Sequence, residues 1–352
     1  MDYVVAEIRP TDRRGAAEAD RLLSQEGLKR DTHLDYVVGL YDGDCNLLAT
    51  GACFANTLRC LAVDGARQGE GLLNLVMSHL TDYQARRGNV HLFLYTKTDK
   101  INFFESLGFH EIARVQNRLV FMENRKEGFS SFLKALAQPR RFAENETNRC
   151  AAALVMNCNP FTLGHRYLVE QAAGQNHQVH LFVVSEDVSF FSFADRYRMV
   201  EQGCSDLNNV ILHQTESYMV SSAVFPAYFL EDEESAIEAQ ARLDLVMFGK
   251  IARALNLSRR YVGEEPFSKV THVYNEVMAR ELPLMGLELV VVPRAERSGH
   301  PISASLVRQL IHDGQLEAVR PLVPPSTFDY FTAERGRDTL KRIQSSSSVV
   351  HH

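Results

Sequence analysis

Several signals are missing from this sequence, and each absence narrows the reading. No run of eighteen apolar residues occurs in its 352 positions, so no stretch reads as a membrane-spanning helix. The start, Met1-Asp2-Tyr3-Val4, has neither the basic region nor the apolar core of a secretory signal, and a cytoplasmic protein is expected. Excess positive charge is also lacking. A formal net charge of −6 speaks against a non-specific nucleic-acid binder, and no membrane partner is expected either. The six cysteines (45, 53, 60, 150, 158 and 204) form no CxxC pair and no Cys/His group with zinc-site spacing. They read as a reduced, mostly buried set, and no protein-held metal is read from them. The minor alternative is a reactive Cys158, although no base partner is identifiable by spacing.

What remains is an ordinary globular composition, 45% hydrophobic and 23% charged, in a chain long enough for two domains. Residues 1–125 alternate strand-like and helical stretches. Tyr36–Tyr41 and Leu47–Phe54 flank the turn signal Asp42-Gly43-Asp44 and predict a β-hairpin. Leu58–Val63 is a further strand, and Leu72, Leu75, Val76 and Leu80 keep helical spacing in a helix from Gly71 to about Arg87. Val90–Tyr95 reads as another strand, followed by a short helix that closes at Gly108. A polar, basic segment, 126–149, is the expected connector; its Arg140 and Arg141 are candidates to attract an acidic partner, or are simply solvated. From 150 to 335 the rhythm becomes βαβα, with strands expected at Ala151–Met156, Val179–Val184, Val210–Leu212, Tyr261–Val262 and Leu287–Val292. That alternation predicts a doubly wound parallel sheet. Residues 336–352 read as a polar tail.

The densest chemistry follows the first of these strands. Asn159-Pro160-Phe161-Thr162-Leu163-Gly164-His165 places a hydroxyl, a bare backbone and an imidazole at the start of a helix. A helix start offers free N–H groups to an anion, and Gly164 is expected to let a phosphate approach the main chain. Taken alone, such a Thr-x-Gly-His is as consistent with a histidine capping a helix. After the last strand, Ile302–Arg308 opens a second helix with Ser303, Ser305 and Arg308, although Ser303 alone is also an ordinary N-cap. Both pieces sit where ligands bind in an open α/β sheet, beyond the carboxyl ends of strands. The pair points to phosphate chemistry that runs on positioning and charge stabilisation.

These residues carry a family resemblance. Thr162–His165 resembles the HxGH-type signature of the nucleotidyltransferase superfamily, with threonine in the first place, and Ile302–Arg308 resembles its second signature, ISxTxxR, with Ser305 in the threonine place. Phe190-Phe191-Ser192-Phe193-Ala194-Asp195-Arg196 and Arg260-Tyr261-Val262-Gly263-Glu264-Glu265-Pro266-Phe267-Ser268 narrow the resemblance to the citrate lyase ligase family. The resemblance implies that ATP, accompanied by Mg²⁺, and acetate form acetyl-adenylate and pyrophosphate. The acetyl group would then pass to the thiol of the phosphoribosyl-dephospho-CoA group on the acyl-carrier subunit of citrate lyase. Thr162 and His165 would meet the α-phosphate region, and Ser303, Ser305 and Arg308 the outer phosphates. Catalytic roles fall on Thr162, His165 and Arg308. Asn159, Pro160, Phe161, Gly164, Gly263, Glu264 and Glu265 would line the nucleotide, and Arg196 would anchor substrate or phosphate. Phe190–Phe193 and Glu231–Glu234 are candidate covers for the adenylate.

In the first domain, Gln68-Gly69-Glu70-Gly71 resembles the pyrophosphate loop of GNAT acetyltransferases, and Asn102–Phe109 their later helix–turn. Leu73 departs from the loop pattern, where Gly or Ala is wanted. The expected fold is a GNAT-like α/β domain, either recognising the CoA-like group through Gln68, Gly69 and Gly71 or a degenerate acetyltransferase. Two other readings stay open. One is a plain adenylyltransferase of a phosphopantetheine or mononucleotide; the other is a GNAT N-acetyltransferase with a regulatory nucleotide-binding domain.

Overall fold

A computed structural model describes residues 3–138, 150–219, 225–228, 230, 233–264, 269–297 and 299–349. The chain divides into two compact units, Met1–Ser131 with Phe225–Val246, and Phe132–Val224 with Met247–His352. Arg140, Arg141, Glu231, Asp232 and Glu265 lie outside the described residues.

The first unit runs β1 (Val4–Glu7), α1 (Arg13–Gln25), β2 (Tyr36–Tyr41), β3 (Leu47–Phe54), β4 (Thr57–Val63), α2 (Leu72–Arg86), β5 (Phe93–Thr96), α3 (Ile101–Ser106), β6 (His110–Val115) and β7 (Leu119–Glu123), with α4 (Gly128–Leu136) beginning at its end. The β2–β3 hairpin forms where expected because Asp42 folds its own turn. One of its carboxylate oxygens accepts the N–H groups of Asp44 at 3.0 Å and Asn46 at 2.8 Å. The periodic residues Leu72, Val76 and Leu80 of α2 face inward and are almost wholly buried with Met77, each burial worth about 1.5–3 kcal/mol, whereas Leu75, expected in the same stripe, is 43% exposed. The seven strands are ordered β1-β2-β3-β4-β5-β7-β6. All neighbours are antiparallel except β4 and β5, which pair only through Thr57↔Phe93 and Leu58↔Leu94. Beyond those two pairs the strands part. Leu61, Ala62 and Val63 on one side and Tyr95 and Thr96 on the other line a cavity of about 480 Å³ in the gap.

The second unit carries the expected parallel sheet. Its elements are β8 (Ala151–Met156), α5 (Leu163–Gln175), β9 (Gln178–Val183), α6 (Phe193–Gly203), β10 (Val210–Gln214), the helix α7 (Glu233–Ala254) that begins in the first unit's residues, β11 (Arg259–Gly263), α8 (Lys269–Glu281) and β12 (Glu288–Val292). The short β13 (Glu296–Arg297) and β14 (His300–Pro301) precede α9 (Ala304–His312), α10 (Leu316–Val319), α11 (Pro325–Thr332) and α12 (Arg337–Ser345). The five-stranded order is β10-β9-β8-β11-β12, and every pair is parallel. β8 is the central strand, and Ala151–Leu154 are buried in succession, as a strand covered on both faces requires. Successive connections run outward from β8 to opposite sides, so the order reverses between β8 and β11. That reversal opens a crevice at the carboxyl end of β8.

Residues 336–352, expected as a polar tail, contain a packed helix. α12 buries Thr339 and Ile343, and Val349 beyond it is buried as well. Its other side faces outward, so the average composition conceals the two positions that pack, Ile343 and a Thr339 whose hydroxyl pairs with the Tyr330 hydroxyl at 2.9 Å.

Candidate active site

At the crevice the chain leaves β8, turns through Asn157–Phe161 and enters α5. Thr162 is the N-cap, its extended backbone (φ −116°, ψ 168°) turning the chain into the helix. Its hydroxyl accepts the N–H of His165 at 3.3 Å, while His165 Nδ1 accepts the N–H of Thr162 at 3.1 Å and lies 3.0 Å from the threonine hydroxyl. Histidine thus occupies the place that Glu or Gln takes in an ordinary capping box. The consequence is chemical as well as structural. A ring nitrogen that accepts a backbone N–H carries no proton, so the proton of the neutral ring sits on Nε2. Burial, reinforced by the positive charges of Arg294 and Arg308, pushes the imidazole from 6.5 down to about 4. Holding it neutral against charging is therefore worth roughly 3 kcal/mol. At neutral pH the site presents a fixed, uncharged N–H donor.

Gly164 has a packing reason besides the one expected. A Cβ there would sit 2.8 Å from the carbonyl oxygen of Ile302. The main chain that approaches Gly164 is therefore the start of the second signature, and the absent side chain is what lets the two signatures touch. Ile302 itself is held by its N–H on Ala295 O at 3.0 Å. Ser303 caps α9 by accepting the N–H of Leu306 at 3.1 Å. Ser305 lies on the first turn and accepts from Arg308 Nη2 at 3.3 Å.

Two arginines hold this arrangement from within. Arg308, expected as a counter-charge for outer phosphates, is 3% exposed. Its Nε donates to Val349 O at 2.7 Å and its Nη1 to Asn159 O. It ties the turn after β8 to α9 and to the C-terminal segment, and burial lowers it to about 10. Arg196, expected as an anchor for substrate or phosphate, has no exposed surface. It donates to Phe191 O at 3.1 Å, Asn157 O at 2.7 Å, Asn157 Oδ1 at 2.8 Å and Val184 O at 2.8 Å, and also to Glu186 O. A guanidinium offers five donors in one plane, and here they collect the carbonyls of the loops after β8 and β9. Its direct partners are thus loop carbonyls and the side-chain oxygen of Asn157, and its effect on a ligand would pass through the loops it shapes.

The remaining expected residues fall around these. Asn159 is buried, with its side-chain oxygen 3.5 Å from the N–H of Phe191. Pro160 follows it through a cis bond. Phe161 is fully buried, its carbonyl accepting from Thr327 at 2.9 Å and its ring lying near-parallel to that of His165 at 6.0 Å. Gly263 ends β11, and exposed Glu264 follows, its N–H on Val292 O at 2.9 Å. Glu265 is outside the described residues. Cys158 is 1% exposed and burial pushes its thiol far up, so it does not supply a thiolate. Sequence reasoning missed Arg294, Arg342 and Val349. Arg294 follows the carboxyl end of β12 and donates through Nε to Glu264 O at 2.8 Å, while Arg342 on α12 donates to Phe190 O. A basic residue two positions past the last strand was the available signal for Arg294; nothing in the spacing marked the other two.

In the first unit, Gly69 (φ +88°) and Gly71 (φ +74°) shape the turn before α2. Gly71 is the N-cap and no side chain caps that helix start. Gln68 donates to Glu26 at 3.2 Å. Gln68, Gly69, Gly71 and Leu73 line the 480 Å³ cavity together with Lys97 and Lys100.

A parallel sheet with reversal at β8, an imidazole-closed helix cap at that point and a second capped helix start folded onto it define an open, doubly wound α/β unit with its candidate site at the reversal. Residues 151–331 match the citrate lyase ligase C-terminal domain. The [citrate [pro-3S]-lyase] ligase of Klebsiella pneumoniae is 38% identical over 316 residues, 88% of this chain and 91% of its own length. That of Escherichia coli is 34% identical over 93% of each chain. Among solved structures, the ribosomal-protein-S18-alanine N-acetyltransferase of Escherichia coli is 19% identical, over 35% of this chain and 92% of its own, with a TM-score of 0.28. This chain belongs to the citrate lyase ligase family.

Proposed function

We propose that this chain is a ligase that activates citrate lyase, consuming ATP and acetate and acetylating the thiol of the lyase's CoA-like prosthetic group. Acetate is a poor acyl donor because its carboxylate is charged and resonance-stabilised. Attack of a carboxylate oxygen on the α-phosphorus of ATP breaks the bond to the β-phosphate and releases pyrophosphate. The carrier thiol then attacks a carbonyl that bears AMP as leaving group. No protein nucleophile is needed in either step, which accords with the buried, raised thiol of Cys158.

The observation that carries this reading is the neutral His165, its Nδ1 fixed by Thr162 and its helix start pressed on Ile302–Ser303. In this role Nε2–H donates to an α-phosphate oxygen whose charge grows during transfer, and the Ser303-capped start of α9 faces the outer phosphates with Ser305. Arg308 and Arg196 act as positioning residues. Among the described residues no three His, Cys, Asp or Glu side chains group to hold a metal ion; Mg²⁺ would arrive on phosphate oxygens, and no step here runs through it. Among the same residues no helix is long and apolar enough to cross a membrane; a cytoplasmic site of action is part of the proposal.

For the first unit, we propose that the cavity takes the CoA-like arm. The uncapped start of α2 and Lys97 and Lys100 suit its phosphates, and the apolar wall of Leu61, Ala62 and Phe103 suits its pantetheine part. Titration of the full chain with dephospho-CoA tests this; absence of heat at millimolar ligand would remove the idea.

The central test is pyrophosphate release from ATP, Mg²⁺ and acetate, with and without deacetylated citrate lyase carrier. Acetate-dependent release that turns over only with the carrier is expected. Release that ignores acetate but answers to a phosphopantetheine or mononucleotide would replace the ligase by an adenylyltransferase.

A further inference from the structure

We propose that Tyr228 and Phe225 close the far end of the first unit's cavity and restrict an arm bound there to a free thiol or a short acyl group. The inference rests on the reading of that cavity as the site of the CoA-like arm and adds the size of cargo the arm can carry into it.

The cavity has two unlike ends. Because β4 and β5 are parallel, their carboxyl ends open on the same side, where Gln68, Gly69 and Gly71 before α2 stand with Lys97 and Lys100 beyond β5. This end suits phosphates, since the α2 start has no side-chain cap and both lysines are cationic. The opposite end is the fork, where the last pair, Leu58↔Leu94, still holds the strands together. From Val63 back to Cys60, just past that pair, the strand covers about 10 Å.

The segment 225–228 comes in at the fork. It lies between β10 and α7 in the sequence, yet it belongs to the first unit. Phe225 is 7% exposed, and its ring meets that of Tyr95, the residue after the last pair, edge-to-face at 5.7 Å. Tyr228 is equally buried, lies beside the main chain of Cys60 and lines the cavity. Its carbonyl accepts the N–H of Lys29 at 2.7 Å, which fixes the backbone that carries it. Two aromatic side chains from one segment therefore stand at the fork, one against each of the strands that form it. An arm with its phosphates at the α2 start runs between the strands toward these rings, thiol first. Methylenes forced into so filled a space distort side chains and backbone rather than find room.

Calorimetric titration of the full-length chain with dephospho-CoA, acetyl-dephospho-CoA and hexanoyl-dephospho-CoA tests the wall, and the sign of the length effect decides. In a cavity open beyond the fork, each added methylene that leaves water would strengthen binding about fourfold. Against a wall, the hexanoyl ester should instead bind about tenfold more weakly than the acetyl ester. Tyr228→Ala should erase or reverse that gap and leave dephospho-CoA affinity nearly unchanged. Phe225→Ala should narrow it too, and thermal midpoints for both variants keep the test readable should one lose its fold. Lys100→Ala, at the phosphate end, should weaken all three ligands by a common factor and leave the gap as it was. A hexanoyl ester that binds the unsubstituted protein as tightly as the acetyl ester would overturn the wall while the arm reading stands. A gap that survives in both aromatic variants would do the same. No binding of dephospho-CoA, or binding undiminished in Lys100→Ala, would overturn the arm reading and the wall with it.

Discussion

Each unit sends a strand through a glycine-bearing turn into a helix, and the two turns use glycine for opposite reasons. Before α2, Gly71 sits at φ +74° with nothing within 4 Å of a would-be Cβ. The space is free and the backbone is the constraint. At α5, Gly164 has no such φ, but a Cβ would meet Ile302 O at 2.8 Å. The backbone is ordinary there and the space is the constraint. The caps differ in the same way. No side chain caps α2, whereas Thr162 and His165 close the start of α5 on each other. The first turn leaves the N–H groups of its helix start without a side-chain cap; the second closes its helix start on itself and fixes one imidazole nitrogen.

The comparison breaks most severely at His165. His165→Ala should lower the rate of pyrophosphate release by about 10²–10³-fold, the usual scale for a transition-state donor, with ATP affinity nearly unchanged. Near-normal turnover would show that the fixed nitrogen is not used. Gly164→Ala should follow, at roughly tenfold to a hundredfold in rate, because the two helix starts must move apart and small displacements of reacting groups are costly. A Gly164→Ala enzyme with normal rate would mean that Ile302 yields without consequence.

Stability changes come next. Arg196→Ala should destabilise the second unit by about 2–3 kcal/mol in denaturant titration, since it orphans several buried carbonyls at once. A loss under ~0.5 kcal/mol would show that water replaces the guanidinium. The depressed His165 sets a pH dependence. Below pH 6.5 the unfolded chain takes up a proton that the folded site refuses until about pH 4. Stability should therefore fall by up to about 1.4 kcal/mol per pH unit as pH drops through that window, and stay flat above it. His165→Asn should remove that part of the slope; an identical slope in both proteins would contradict the neutral imidazole. The smallest effect is expected at Gly71→Ala, about 1 kcal/mol from the left-handed backbone alone, together with weaker dephospho-CoA binding and no change in acetate-dependent pyrophosphate release.

Much of this was legible before any coordinates. The β2–β3 hairpin, the inward stripe of α2 and the parallel sheet follow from local turn chemistry and periodicity, which act over a few residues. The hairpin β6–β7 was not foreseen, because β6 mixes His110, Glu111 and Arg114 with a register shift between Glu111 and Ala113 that spoils its alternation. α12 was missed because two buried side chains, Thr339 and Ile343, hardly register in so polar a segment. Residue types at the site were readable, while their duties were not: Arg308 and Arg196 looked like ligand-facing cations and are bonded to buried carbonyls.

The sequence by itself determined the elements whose cause is local. These include the Asp42 turn, the Thr162 and Ser303 caps, the strand–helix rhythm and the pairing of a hydroxyl with an imidazole three residues on. Only the tertiary structure decided that Arg196 and Arg308 are buried against carbonyls, which glycine is required by space rather than by φ, and which nitrogen of His165 holds its proton. Those outcomes depend on contacts such as Gly164 with Ile302 and Arg308 with Val349, between residues far apart in the chain. Burial and hydrogen bonding of that kind are properties of the packed fold, and no spacing along the sequence encodes them.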